Sequence, residues 1–286
     1  MKYNTDIIKQ DGKNVIVTAP CFSLSQTLDC GQAFRFAEAD GIWQGVVGDR
    51  LLKMEQTDGG VLFYDITADE FCEKYYDYFT LGFDYAELQR ELCADETLKK
   101  AIEFAGGIRL LKQNKWETLC SFIISQNNNI PRIKGIISRL CKSFGEKIDG
   151  CNEYTFPDAE KIAALSLDDL APLRSGFRAK YILDAAQKVA NGEIDFTLLE
   201  TAPLDDARAE LMKIKGVGPK VAECALLFSC GRFDAFPLDV WMKRVMAVLY
   251  PNGLPQCAVQ YKGIAQQYLF HYSRCIKLSD NDETAE

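Results

Sequence analysis

Between residues 14 and 66 apolar side chains come in short β-rich runs. Asn14–Thr18 reads NVIVT, and Ala33–Phe36, Trp43–Val47, Leu51–Gln56 and Val61–Ile66 follow at close intervals. Ala39-Asp40-Gly41, Gly48-Asp49 and Asp58-Gly59-Gly60 separate them with turn-forming residues. Short strands punctuated this way predict a meander of antiparallel hairpins. Helical patterns follow at Asp69–Phe79 and Tyr85–Leu92. From about residue 97 the apolar spacing lengthens to the 3.6-residue period of amphipathic helices. It fits Leu98–Phe104, Lys115–Ser125, Pro131–Phe144, Leu167–Pro172, Ala179–Asn191, Asp205–Lys213, Pro219–Ser229, Asp239–Tyr250 and Cys257–Leu278. With Gly106-Gly107 as the seam, the chain divides into an antiparallel β domain with flanking helices (1–105) and a helical domain (106–286). The predicted fold class is α+β.

Composition narrows the chemistry. Eleven cysteines, an odd number with no CxxC pair, argue for reduced thiols rather than a disulfide framework or a zinc site. One histidine, His271, leaves no material for imidazole metal clusters or Ser-His-Asp catalysis. No apolar run approaches the roughly 18 residues a membrane span needs, and the amino terminus lacks a signal-peptide core. A cytoplasmic protein is expected, associated with the nucleoid if the source is bacterial, with no membrane partner. The net charge of −8 speaks against a polyanionic ligand, but its distribution does not. Residues 1–105 carry net −9 and residues 151–286 net −4, whereas residues 106–150 carry 8 basic and 3 acidic side chains. Local sign governs polyanion contact because the Debye length is about 8 Å at physiological salt. The acidic tail at 279–286 reads as solvated.

The most informative stretch is Leu211–Phe228, LMKIKGVGPKVAECALLF. A helix ending near Ile214 runs into Lys215-Gly216-Val217-Gly218, and a second helix starts at Pro219, a residue suited to the first helical position. This helix-hairpin-helix spans 205–229. Gly216 and Gly218 permit a tight reversal. The start of the second helix offers free N–H groups and a positive dipole end to a DNA phosphate. Such contacts set register without reading sequence.

The hairpin followed by Pro237-Leu238-Asp239 resembles the helix-hairpin-helix, Gly/Pro-rich-loop-and-Asp DNA glycosylases, and within them the 8-oxoguanine DNA N-glycosylase/lyases. The matching pieces are Cys30-Gly31-Gln32-Ala33-Phe34-Arg35, Asn127-Asn128-Asn129-Ile130, Gly216 to Cys224, Pro237-Leu238-Asp239-Val240 and Ala265 to Phe270. They cover most of the chain, and their order and spacing are more specific than any one alone. The resemblance implies a TATA-binding-protein-like antiparallel sheet ahead of the helical domain. It implies a monomeric enzyme of base excision repair acting on double-stranded DNA with 8-oxoguanine opposite cytosine.

By the same resemblance Lys220 is the nucleophile and Asp239 the electrostatic stabiliser. The helix to Ser229 rises about 15 Å, and the ten residues beyond it reach about 33 Å. Asp239 is therefore able to return to the level of Lys220. Such a carboxylate stabilises the positive charge that develops on a sugar losing its base, while an unprotonated amine attacks C1′ and forms a Schiff base. Asp239 also precedes VWMKRVM and suits a helix N-cap, so both roles stay open.

A base inside a duplex must be extruded before its sugar is attacked. The resemblance gives the Gly31 carbonyl the task of reading N7–H, which 8-oxoguanine has and guanine lacks. Cys224 and Phe270 sandwich the base, and Gln266 bonds its Watson–Crick edge. Asn127 fills the vacated space, while Arg132 and Phe177 complete the contact with the opposite cytosine. Cys224 and Phe270 equally suit a helical core, and Asn129 suits an N-cap. Lys112, Lys115, Lys134, Arg139, Arg174 and Arg178 are generic phosphate candidates. Two departures stand out: Trp241 occupies a position where a histidine near the 5′ phosphate is common, leaving at most an indole N–H there, and Phe177 replaces a common tyrosine. The carboxyl-terminal cysteine pattern of an iron–sulfur cluster is missing, so no metal or other cofactor is expected. Two rivals are an alkylated-purine glycosylase, against which Lys220 argues, and a non-catalytic hairpin DNA-binding protein.

Overall fold

The computed structural model describes residues 3–274. The acidic tail and the last turn expected for the final helix lie outside them. Six strands, β1 (Ile8–Asp11), β2 (Asn14–Val17), β3 (Phe36–Ala39), β4 (Ile42–Val47), β5 (Arg50–Thr57) and β6 (Gly60–Phe63), form one sheet in the order β1-β2-β6-β5-β4-β3. Every pairing is antiparallel. The β3–β4 turn is Asp40-Gly41, both at positive φ, the geometry a two-residue hairpin demands. The strand expected at Ala33–Phe36 instead starts at Phe36, because Ala33 and Phe34 are drawn into the two cores. β1 was not foreseen: it is an edge strand of sequence IKQD, mostly exposed, with no apolar alternation to reveal it.

Val15, Val17, Leu52, Met54, Val61 and Phe63 project from the sheet against Phe71, Tyr75 and Phe79 in a first core. A second, larger core is mostly helical. Tyr85–Leu92 and Glu96–Ala105, expected to flank the sheet, belong to this second core: Leu88, Leu92, Leu98, Ala101 and Ala105 are buried in it. The helix expected at Cys257–Leu278 starts at Lys262 after a separate turn, Gln256–Ala258. No helix among the described residues is long and apolar enough to cross a membrane.

The seam between the cores positions a key loop. Arg109 is buried there and donates to the carbonyls of Phe79 (3.1 Å), Pro20 (2.8 Å) and Thr80 (2.7 Å). Gln32, also buried, donates to the carbonyls of Thr27 and Arg109, both at 2.8 Å, and accepts from the Leu111 N–H at 2.8 Å. Cys30-Gly31-Gln32 is thereby fastened to the strap that joins the two halves.

Candidate active site and nucleic-acid interface

Helices Leu204–Met212 and Pro219–Cys230 build the hairpin. Leu211, Ile214, Val217, Val221 and Ala225 are buried and hold it to the helical core. Its two glycines have different reasons. Gly216 sits at φ +80°, and a Cβ there would lie 2.5 Å from the Tyr181 ring. Gly218 is extended (φ −103°, ψ −178°), and a Cβ there would meet nothing within 4 Å. The fold therefore does not require Gly218 to be glycine. As N-cap it brings no side-chain bond to the first N–H groups of the second helix, which leaves them for an external anion. Gly216→Ala should cost about 2 kcal/mol or more and lower the Tm by several degrees. Gly218→Val should lower the Tm less than Gly216→Ala does, valine being only a poorer N-cap, yet weaken duplex binding about tenfold by obstructing the N–H groups. Equal losses of Tm in the two variants would assign Gly218 to the fold instead.

Lys220, in the first turn of that helix, holds its Nζ 5.3 Å from the centroid of the Phe122 ring. Phe122 is fixed by a stack on Phe228 (5.3 Å) and an edge contact with Phe34 (5.7 Å). One turn on, burial pushes the Cys224 thiol above its usual range, opposed by the adjacent Lys220 amine. Asp239 does cap the Val240–Leu249 helix: its Oδ1 accepts from the Met242 N–H at 2.7 Å. The cap also holds the carboxylate in place, and it lines the same small cavity as Lys220. The loop leading to Asp239 has a tether that no motif announced. The Glu223 carboxylate accepts from the Phe236 N–H at 2.9 Å and lies 3.1 Å from Arg208 Nε.

The cavity has a volume of about 60 Å³, and Gly31, Lys220, Cys224, Asp239, Gln266 and Phe270 all line it. The structure thus brings together the six residues that the sequence nominates for catalysis and base binding. Gln266 is buried, and its Oε1 has no hydrogen-bond partner. Gly31 is needed for its backbone rather than for space: φ is +86°, and a Cβ there would meet nothing within 4 Å. The loop is pinned by Gln267, which donates to the Cys30 carbonyl at 2.9 Å. Burial pushes the Cys30 thiol up to about 11. An open cleft of about 350 Å³, lined by Asp239, Trp241, Phe270 and Arg274, shares Asp239 and Phe270 with the cavity. A larger cleft of 590 Å³ between β3–β5 and the Ile130–Phe144 helix contains none of the residues nominated for catalysis or base binding.

Trp241 needs a correction. Its indole N–H donates to Ser273 Oγ at 2.9 Å, and Ser273 Oγ donates to the Phe270 carbonyl at 3.1 Å. The one polar group proposed for phosphate contact is engaged inside the protein, where it ties the Asp239 helix to the helix bearing Gln266 and Phe270.

Asn127 follows the Lys115–Ser125 helix, exposed and at φ +46°. Asn129 caps the next helix, accepting from the Arg132 N–H at 3.0 Å. Phe177 is 47% exposed and Arg132 is exposed. Arg178, expected at the surface, is buried. It donates to the carbonyls of Gln126, Asn127 (2.7 Å) and Ser175 (3.2 Å) and stacks 4.4 Å from the Phe177 centroid. This guanidinium braces the Asn127 segment against the Phe177 turn. Other phosphate candidates are engaged internally too. Lys115 and Lys112 pair with Glu200 at 2.8 and 3.8 Å, Lys134 donates to the Phe36 carbonyl, and Arg139 donates to the Leu173 carbonyl.

Residues 14–119 match the model of the 8-oxoguanine DNA glycosylase N-terminal domain, and residues 120–254 match that of the HhH-GPD superfamily base excision DNA repair proteins. The N-glycosylase/DNA lyase of Saccharomyces cerevisiae is 40% identical over 153 residues, which are 49% of this chain and 41% of the yeast protein. A probable N-glycosylase/DNA lyase of Methanothermobacter thermautotrophicus is 30% identical over 261 residues, covering 79% of this chain and 83% of that protein. A crystal structure of Clostridium acetobutylicum 8-oxoguanine glycosylase/lyase, in complex with double-stranded DNA containing cytosine opposite to 8-oxoG, is similar with a TM-score of 0.87. That match is 35% identical and covers 96% of this chain and 99% of the other.

Proposed function

The chain belongs to the HhH-GPD superfamily of base excision DNA repair proteins and carries the N-terminal domain found in 8-oxoguanine DNA glycosylases. From that premise we propose that it is a bifunctional DNA glycosylase and abasic-site lyase, which extrudes 8-oxoguanine opposite cytosine and nicks the strand. The observation that carries this reading is the convergence of Lys220, Asp239, Gly31 and the unpartnered Gln266 Oε1 on one cavity.

Each group has a chemical task there. The lone pair of Lys220 Nζ forms a bond to C1′ as the C1′–N9 bond breaks, and the base leaves with that electron pair and is protonated. The Asp239 carboxylate stabilises the positive charge on the sugar as it develops. Opening of the sugar ring gives the C1′ Schiff base. Loss of a C2′ proton then expels the 3′ phosphate by β-elimination. The Watson–Crick edge of the base presents N1–H and N2–H donors, which an empty buried amide oxygen at Gln266 suits. The Gly31 carbonyl has no hydrogen-bond donor among the described residues and suits N7–H. A cavity of 60 Å³ holds a few waters and no purine, so the base is admitted when Phe270, the wall shared with the open cleft, moves aside. Hairpin N–H groups hold the lesion-strand backbone, and Asn127 with Arg132 and Phe177 takes the place and the partner of the extruded base. Action in the cytoplasm, as a monomer, belongs to the same proposal.

Duplexes with one defined lesion each, opposite cytosine, test the reading. Release of 8-oxoguanine should exceed that of guanine or an alkylated purine by about 10² or more, and faster release of the alkylated purine would overturn it. Gln266→Met supplies a second arm. Removing an orphaned acceptor that costs about 1–3 kcal/mol should leave the Tm unchanged or higher. The same change should lower kcat/KM on 8-oxoguanine roughly 10- to 100-fold.

A further inference from the structure

Beside Phe177, on the corner formed by residues 167–180, lies a groove of about 530 Å³ lined by Leu167, Leu170, Arg174, Phe177 and Lys180 among others. Two large apolar side chains in it are open to solvent, Leu167 at 50% and Phe177 at 47% exposure. The groove is continuous with the segment expected to face the opposite base. Phe177 forms its wall, and Arg178 behind that ring is bonded to the Gln126 and Asn127 carbonyls. Two cations and the two carboxylates of Asp168 and Asp169 share this corner. Arg174 and Lys180 are exposed, and among the described residues neither makes an ion pair. The nearby Asp169 carboxylate is turned back onto the N–H and hydroxyl of Ser166. The neighbouring arginine, Arg139, is engaged with the Leu173 carbonyl.

We propose that this groove seats the sugar–phosphate backbone of the undamaged strand beside the base opposite the lesion. A deoxyribose lies against Leu167 and Phe177, and the flanking phosphates meet Arg174 and Lys180. The proposal rests on the DNA-repair reading above and extends its interface to the second strand. Apolar walls with two exposed cations that make no ion pair among the described residues, Arg174 and Lys180 (whose Nζ lies 5.3 Å from the Tyr181 centroid), match a sugar edge between two phosphates. Contacts of this kind orient a duplex without reading its sequence.

The test is a salt titration of duplex binding by the full chain and by the double variant Arg174→Ala, Lys180→Ala. Methylphosphonates are placed singly in either strand around an 8-oxoguanine·cytosine pair. Both residues are exposed, and equal melting temperatures verify the fold. Each neutralised phosphate adds about 0.9 to the salt slope, so the double variant should lose roughly 1.8. Neutral linkages in the undamaged strand should weaken the parent and leave the variant indifferent, while those in the lesion strand affect both alike. An unchanged slope with full sensitivity to undamaged-strand linkages would overturn the proposal, and so would a groove occupied by a protein partner, which gives that same result. Excision by the parent in the same assay reports separately on the function itself. A parent that cuts 8-oxoguanine beside a variant with an unchanged slope removes the groove alone.

Discussion

Lys220→Gln is expected to bind a lesion duplex much as the parent does and to leave both base and strand intact. Glutamine keeps a polar, hydrogen-bonding side chain one atom shorter, with no basic lone pair to attack C1′. The hairpin N–H groups, the Phe122 ring and the Gln266 acceptor are all untouched. Removing a covalent nucleophile from a catalytic set typically costs about 10⁴ or more in rate. Single-turnover excision should fall by that order, and strand nicking should vanish. Because the affinity loss should stay within about threefold, binding and chemistry separate in one variant. Strand cleavage at an appreciable fraction of the parent rate would remove Lys220 from the role.

Asp239→Asn separates a structural part from a chemical one. Asn is as good an N-cap as Asp, so the bond to the Met242 N–H persists and stability should change by less than about 0.5 kcal/mol. The negative charge is lost, and with it the stabilisation of the cationic sugar. Groups of this kind commonly contribute about 10²–10³ in rate. Base release by Asp239→Asn should slow by that factor, measured at saturating enzyme with excess lesion duplex. Asp239→Ala should lose the same activity and about 1 kcal/mol of stability as well. A parental rate in Asp239→Asn would reduce the residue to its cap.

What the sequence makes legible here is local or periodic. The Asp40-Gly41 turn, the β-branched runs and the 3.6-residue stripes each carry their own physical signature, so the sheet and most long helices are foreseeable from them. The hairpin is foreseeable too, since Gly216 needs a positive φ and Pro219 begins a helix. The six nominated residues among those lining the cavity came from motifs more than from periodicity, because residues 31 and 266 are distant in sequence and only the fold closes them on Lys220. Less legible is the purpose of polar groups whose partners are remote. Arg178 looks like any surface arginine until its guanidinium is found under Phe177, bonded to carbonyls some fifty residues away. Lys112, Lys115, Lys134 and Arg139 are four of the eight basic residues at 106–150, yet each is engaged by Glu200 or by a backbone carbonyl, so net charge overstates what faces a polyanion. Trp241 and Glu223 teach the same point. An indole N–H and a carboxylate are read as free until tertiary contacts show them tying helices and loops together.

The most direct measurement is reductive trapping. The chain is incubated with an 8-oxoguanine duplex and sodium borohydride, and the cross-linked peptide is then mapped by mass spectrometry. The account predicts a stable protein–DNA adduct with the sugar remnant on Lys220 Nζ, absent with undamaged duplex and absent from Lys220→Gln. An adduct on another side chain, or strand cleavage with no trapped species, would contradict it.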